Sequence, residues 1–526
     1  MTASDISRRT LLRCASVGGV TGLAGCNTGG PDGDDAGNGQ GTADTSGGET
    51  DRPRRDSATI ALKENPTEDV WAFYGGVMPY FTNVVEPLIW VGDDMEAEPW
   101  LATDWERTGE RTFVFDIRQD VTFHNGAALT AEEVVWSFEA LFDNWAWTKG
   151  WLHLEPDGVQ AVDDHTVEFT TTSVLPQFPG TVAHNMVAVQ HPDRERDGGP
   201  IGTGPYRVEE IQDDDFVDVS AFEDYWGGAP ATPELTYQVM TDPSTRSLAV
   251  QSHDVHVAFD PPRVQVSSLR EEEATTVHVQ EEPSTVWADI HDTRSPTDDE
   301  RLRKALNFAV DQESIVASIL DGIGQPARGV IAPTIYWSAH DDLPVYGPDR
   351  QRAEALVEES SYSGETLEFV VQTGQPVEGD VMAQVIQRNA DDVGVDIEIS
   401  MVEAAAFDDA IETGDGHLFL REGGTNSVAA DYLLVDFFWS EGCCSYWRDL
   451  GEAVDERILE GNRAADAETK TEAYGEAQVR IMEQAAILPV HYLEYVTVTS
   501  SAVEGLDLRP IPNMNRWTDL VHYEAE

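Results

Sequence analysis

The chain has 526 residues, with 97 Asp and Glu against 33 Lys and Arg and a formal net charge of −64 at pH 7. That length exceeds a single compact core and suits roughly two to four domains, while 40% hydrophobic and 9% aromatic residues mark a globular chain. Clustered Lys and Arg, which phosphate neutralisation requires, are missing, and this excludes a nucleic-acid binder or a polybasic lipid-binding face.

The basic residues are almost all Arg; the lysines are Lys63, Lys149, Lys304 and Lys470. Acid excess along the whole chain with so few lysines suits a surface that stays hydrated in molar salt. There the Debye length falls to about 3 Å and self-repulsion is screened. The composition therefore predicts a halophile's protein, loosened in dilute buffer.

At the N-terminus, Ser7-Arg8-Arg9-Thr10-Leu11-Leu12-Arg13 precedes a short stretch rich in Ala, Gly and Val that ends at Leu23-Ala24-Gly25-Cys26. A charged start, a brief apolar region and small residues at the end predict a secretory signal rather than a spanning helix, and the twin arginines point to the Tat route. Leu-Ala-Gly-Cys resembles a lipobox, which makes Cys26 the expected lipidation site. Residues 27–56, rich in Gly, Ser, Thr and Asp, predict a flexible tether. The expected protein is exported, anchored by one end on the outer face of the membrane, and monomeric. With Cys14 and Cys26 accounted for, Cys443 and Cys444 remain, and adjacent cysteines staple no distant segments. They are either incidental or a vicinal disulfide.

Strands and helices alternate through the body. Thr112–Ile117 reads as a strand and His124-Asn125-Gly126 as a turn. Thr130 with Glu133 forms a capping box for a helix carrying Val134, Phe138, Leu141 and Phe142. Asp299 opens a helix with Leu302, Leu306 and Phe308; Asp311 caps another, stopped by Gly322. Residues 365–371 predict a strand, 379–393 a helix, 395–400 a strand, 466–486 a long helix and 487–498 a strand. Such alternation predicts α/β or α+β domains with mixed sheets.

The chain carries no His-Glu-x-x-His, no Gly-x-Ser-x-Gly and no phosphate loop. His253 and His256 are the closest histidine pair. They read as a metal pair on one helix face or as ordinary residues of a solvated acidic segment. Nothing demands an enzyme or a cofactor.

Several blocks recur in a known order: Trp100-Leu101-Ala102-Thr103-Asp104-Trp105, Thr112–Arg118, Val121–Gly126, Leu129–Phe138, Gly202-Thr203-Gly204-Pro205-Tyr206, Asp299–Asp311, Gly394–Glu398 and Leu488-Pro489-Val490-His491-Tyr492. Together, over about residues 57–526, they resemble the solute-binding proteins of ABC importers for peptides and nickel, extracellular solute-binding protein family five. The resemblance implies an α/β periplasmic-binding-protein type II fold, two lobes plus an extra inserted domain around a hinged ligand cleft. It implies a first domain of residues 57–88, 196–262 and 498–526, a second of 89–195 and a third of 263–497. It also implies partners: a peptide or other small solute, and a membrane permease with its ATPase.

Peptide-binding members pair a carboxylate with the ligand's amino group, in a segment that matches Ala430-Asp431-Tyr432 here. The resemblance thus makes Asp431 the amine-binding candidate, with Tyr432 beside it and Arg421 facing either a peptide carboxylate or a buried acid. Phe73 and Met78, within an aromatic run that includes Trp71, Tyr74 and Tyr80, form a second candidate lining or belong to the core. His491 and Tyr492 are expected to face the ligand or to pack at the interface. Peptide capture is the leading expectation. A nickel chelate, a sugar or another solute on the same fold is the alternative, and a secreted enzyme the remote one.

Overall fold

Thr130 opens its helix as the capping box requires. Its hydroxyl accepts from the Glu132 N–H at 3.2 Å, and Glu133 Oε2 accepts from the Thr130 N–H at 3.0 Å. The helix runs Ala131–Asn144 and buries Val134, Phe138 and Leu141. The Phe138 ring lies 5.1 Å from that of Phe169. Phe169 belongs to an antiparallel four-stranded sheet ordered Ala102–Arg107, Thr112–Ile117, Thr166–Thr171, Leu154–Asp163. The computed structural model describes residues 52–62 and 82–524, apart from 94, 146–147, 185–186, 194–198, 213, 426, 429–430 and 512–514. The expected signal, Cys26, residues 27–51 and the aromatic run with Phe73 and Met78 lie outside the described residues.

An eleven-stranded mixed sheet forms the rest of the frame. Its order is Tyr206–Gln212, Phe216–Ala221, Glu234–Val239, Ser57–Leu62, Val257–Phe259, Ile487–Ser500, Thr275–Ile290, Leu418–Gly424, Leu367–Gln372, Ile397–Val402, with Gln325–Pro326 pairing off Ile487–Ser500. The two longest strands, Thr275–Ile290 and Ile487–Ser500, pair antiparallel, and each feeds three apolar clusters, the largest of which takes Trp287, Ile487 and Tyr495. Val286, Ala288, Ile290, Leu488 and Val490 pack with Leu302, Leu306, Phe369 and Ile386. Val496 and Val498, with Val277 and Val279 against them, pack instead with Ala61, Val250, Ala258 and Leu269. These two clusters sit at opposite ends of the strand pair, while the largest cluster draws on both strands and on residues from Ala58 to Leu520.

The predicted elements between residues 299 and 500 recur within a few residues of their expected ends. Asp299, Asp311 and Asp466 each cap a helix, accepting from the N–H of Arg301, Ser314 and Thr469. The expected tether ends sooner than residue 56. Arg54–Arg55 pairs with His522 and Tyr523, and Arg52 bridges Glu504 at 2.9 Å, because a strand edge and an acid are there to receive them.

The Gly-Thr-Gly-Pro-Tyr and His-Asn-Gly blocks owe their sequence to close packing on one another. Thr203 sends its hydroxyl to Glu86 at 2.7 Å, and His124 Nε2 lies 2.9 Å from the Gly204 carbonyl. Glu86 is buried and saturated, since Trp100, Tyr225 and Trp226 also donate to it. Burial raises its carboxyl above the usual range while those bonds oppose the rise. The flanking glycines lie against backbone: a Cβ on Gly202 would meet Val84 O at 1.9 Å, and one on Gly204 would meet Asn83 O at 2.1 Å. Gly202→Ala is therefore expected to destabilise by about 1–3 kcal/mol, read as a lowered thermal midpoint. Gly150→Ala, within helix Thr148–Trp151 and with open space around its Cβ, is the control and should not lower the midpoint.

Candidate functional site

Where the two long strands pass from one core to the other, their pairing slips. The register shifts between Glu281 and Thr285 and again between Val286 and Trp287. A small cavity opens at this slip. Asp260, just after strand Val257–Phe259, and Arg263, at the start of helix Arg263–Glu271, line it from one side; Glu282, Glu422, His491 and Glu494 line it from the strands opposite. Leu320, Ile323 and Leu493 supply apolar flanks. Asp260 has φ 45°, a left-handed conformation that Asp tolerates better than most residues and that clusters at functional sites.

The polar atoms of this cavity are not all engaged. His491 is 6% exposed, and its Nδ1 lies 3.1 Å from the Tyr492 carbonyl. A carbonyl only accepts, so Nδ1 carries the proton and Nε2 presents a lone pair, which has no partner among the described atoms. Burial lowers the ring to about 4, keeping it neutral near pH 7. Arg263 donates from Nη2 to the Glu494 carbonyl at 3.3 Å, while its buried Nη1 has no partner. Glu494 accepts from the Gly324 N–H at 2.9 Å and Glu282 from Ser284 at 2.8 Å.

The other expected site residues stand elsewhere. Tyr492 faces away from His491, as strand alternation requires, and its buried hydroxyl accepts from the N–H groups of Arg328 and Gly329 and donates to His340 Nδ1. It clasps the segment around residue 328 rather than a ligand. Arg421 faces the buried acid of its two alternatives: Asp289 Oδ2 lies 3.1 Å away, and Arg448 reaches the other oxygen at 2.5 Å. Burial pushes the Asp289 carboxyl up, but the two guanidinium groups outweigh it and hold the group below its usual range. Tyr432 donates to the Gly424 carbonyl.

Asp431, the amine-binding candidate, is engaged within the chain. It is 3% exposed and already has an ammonium partner, Lys470 Nζ at 2.8 Å, with the Tyr474 hydroxyl at 2.7 Å on the same oxygen. Lys470 and Tyr474 lie one turn apart on helix Ala467–Glu483, so a single helix face clamps the carboxylate. The charge expected from a ligand comes from the chain itself.

Neither of the remaining pairs forms a metal site. His253 follows helix Pro243–Gln251 with φ 60°, and His256 is buried, accepting from the Thr59 N–H at 2.8 Å and packed on His522. Among the described residues, no group of three His, Cys, Asp or Glu is placed to hold a metal. Cys443 and Cys444 are free thiols, exposed and buried respectively. No described helix is long and apolar enough to cross a membrane.

Sequence reasoning missed Asp260, Arg263, Glu282, Glu422 and Glu494. In a chain with 97 acids, no local signal separates a cavity carboxylate from a hydrated one.

A mixed sheet crossed by two long paired strands, beside a smaller four-stranded sheet, is the α/β architecture of a solute-binding protein of the type II periplasmic-binding fold. The profile of bacterial extracellular solute-binding proteins, family 5 (middle), matches residues 96–442, and the chain belongs to that family. It is 25% identical over 458 residues to the nickel-binding periplasmic protein of Escherichia coli, covering 81% of this chain and 87% of the relative. It is 24% identical over 471 residues to the dipeptide-binding protein of the same organism, covering 82% and 87%. In three dimensions it resembles an ABC transporter substrate-binding protein from Listeria monocytogenes, with a TM-score of 0.79 at 20% identity over 90% of this chain and 100% of that one.

Proposed function

We propose that this chain is the extracytoplasmic substrate-binding component of an ABC importer, capturing short peptides between its lobes and delivering them to a membrane permease. The observation that carries the reading is the cavity at the slipped crossing of Thr275–Ile290 and Ile487–Ser500, with unpartnered polar atoms from both sides. In this reading a small rotation at the crossing opens and closes the cavity. Its acceptors suit the N–H groups of a peptide better than an anionic chelate. The segments 57–88, 196–262 and 498–526 make the first lobe, 89–195 the inserted domain and 263–497 the third in this reading. Helix Arg263–Glu271 buries Val266 and Leu269 against Ala61 and Val250, and in this reading the hinge falls at the slip near 281–287. Tat export and a lipid on Cys26 complete the proposal.

The relatives divide between a nickel binder and a dipeptide binder, so the test sets the two against each other. Thermal unfolding of the full chain in molar KCl is followed by Trp fluorescence, with peptide pools of graded length and with a nickel–histidine mixture. A ligand at 100 times its Kd adds about 2.7 kcal/mol, and the midpoint is expected to rise by a few degrees with peptides. A rise with the chelate alone transfers the reading to nickel import.

A further inference from the structure

We propose that Cys443 and Cys444 form a reversible redox modification site, which a small external disulfide closes to a vicinal disulfide and excess thiol reopens. The inference is independent of what the protein captures.

The two cysteines sit between helices Tyr432–Phe438 and Glu452–Arg463. Neighbouring side chains in an extended chain point to opposite faces, yet here the two Sγ atoms stand 2.9 Å apart. Backbone contacts hold them so. The Gly442 N–H donates to the Trp439 carbonyl at 2.8 Å, and the Cys444 N–H to the Asp436 carbonyl at 2.9 Å. A Cβ on Gly442 would meet that same Asp436 oxygen at 2.6 Å, so the turn lies close against the helix. Tyr446 follows with φ 47°, a left-handed conformation that its bulk disfavours. Cys443 is exposed and Cys444 buried, so a reagent meets the first while the second stands behind it.

The groups around the pair favour exchange. The hydrogen bond from Cys443 does most to lower the Cys444 thiol, and Arg421 and the Tyr446 hydroxyl add to it against burial and Asp436. Burial raises the Asp436 carboxyl to about 7, against a hydrogen bond that it accepts from Cys443, and this suits it to take a thiol proton near neutrality. Tyr432, which burial and Asp436 keep protonated, completes the titratable groups around the carboxylate.

In the first step the Cys443 sulfur attacks one sulfur of the reagent, its proton passes to Asp436, and one thiolate leaves. The Cys444 thiolate then attacks the Cys443 sulfur, forms the Cys443–Cys444 bond and expels a second thiolate. Both protein thiols are oxidised, one external disulfide is reduced, and the two protons end on the two thiols released. Neighbouring Cα atoms lie about 3.8 Å apart, closer than the roughly 4.4–6.8 Å of ordinary disulfides, so the closed ring is strained and readily reduced. It also encloses almost no chain, which makes it a poor stabilising staple and leaves reversible modification.

The reduced full chain in molar KCl is treated with glutathione disulfide, quenched by alkylation, and its peptides are mapped by mass. The peptide holding residues 443 and 444 is expected to lose two hydrogens and escape alkylation at both sulfurs, and excess dithiothreitol should restore both. Asp436→Asn should slow closure about ten- to a hundredfold at pH 7 and remove the rise in rate that the parent shows near that pH, leaving only the rise from thiol ionisation at higher pH. Its thermal midpoint reports whether it folds. A lasting glutathione adduct on Cys443, a bond from either sulfur to Cys14 or Cys26, or two thiols that still alkylate each overturns the site, and none of these outcomes needs a variant. Asp436→Asn closing as fast as the parent overturns the role of Asp436 as proton acceptor.

Discussion

Asp289→Ala is expected to lower stability by about 3–5 kcal/mol, with a fall of the thermal midpoint larger than for any surface acid. The carboxylate is 2% exposed and holds Arg421 at 3.1 Å, Arg448 at 2.5 Å and the Trp287 indole N–H at 2.9 Å. Removing it leaves two guanidinium groups buried without their counter-charge. Arg448 keeps its bonds to the carbonyls of Phe437 and Ala486, and Arg421 its place over the Phe437 ring at 4.5 Å, but neither neutralises a charge. Asp289→Asn separates charge from shape, because the amide oxygen can still accept from Trp287.

The same pair gives a pH dependence with a definite sign. The two arginines hold the folded carboxyl below its unfolded value, so its contribution is fully present above the ordinary carboxylate range. It is lost as the pH falls through the folded value. Acid unfolding of the parent chain should thus include a step that Asp289→Asn lacks. A loss below about 1 kcal/mol for Asp289→Ala, the range of exposed pairs, would show that water reaches the cluster.

Local chemistry was the legible part of this fold. Thr130 with Glu133, and Asp299, Asp311 and Asp466, announce helices because each cap bonds within three residues of itself. Thr275–Ile290 was not legible. Its first half is polar, Pro283 interrupts it, and the apolar run from Val286 begins only where the second core takes over. The site was harder still. His491 sits in a recognisable block, but its neighbours in space come from residues 260 to 494, brought together by the sheet order and not by spacing. Arg421 and Asp289 are 132 residues apart in sequence, and Asp431 and Lys470 are 39 apart. Scarcity held one usable hint: a chain with four lysines that places one within a long amphipathic helix is spending that charge on something.

Apart from His491, the family blocks and the cavity lining are thus different residues. Gly202, Gly204, Thr203 and His124 serve backbone approach and the anchoring of Glu86, and none of them lines the cavity. The cavity is lined by side chains that can change without touching those contacts. A signature built from the first set identifies the scaffold and leaves the cargo open.

Asp431 and Lys470 test where structure ends and ligand begins. Each is expected to lose about 3–5 kcal/mol when its partner is removed, by Lys470→Met or Asp431→Asn, because the pair is 8% and 5% exposed at the side chains and the remaining charge is left buried. The double variant should recover much of that loss, since a buried pair replaced on both sides leaves no orphan charge. Thermal midpoints of the four proteins in molar KCl close the cycle and isolate the coupling. Asp431→Asn should also leave the response to the peptide pools intact, because the cavity acids lie on other elements. The opposite pattern, a variant as stable as its parent but blind to every ligand, would return Asp431 to the role of amine receptor. Lys470 would then be a tenant that a ligand's own ammonium displaces.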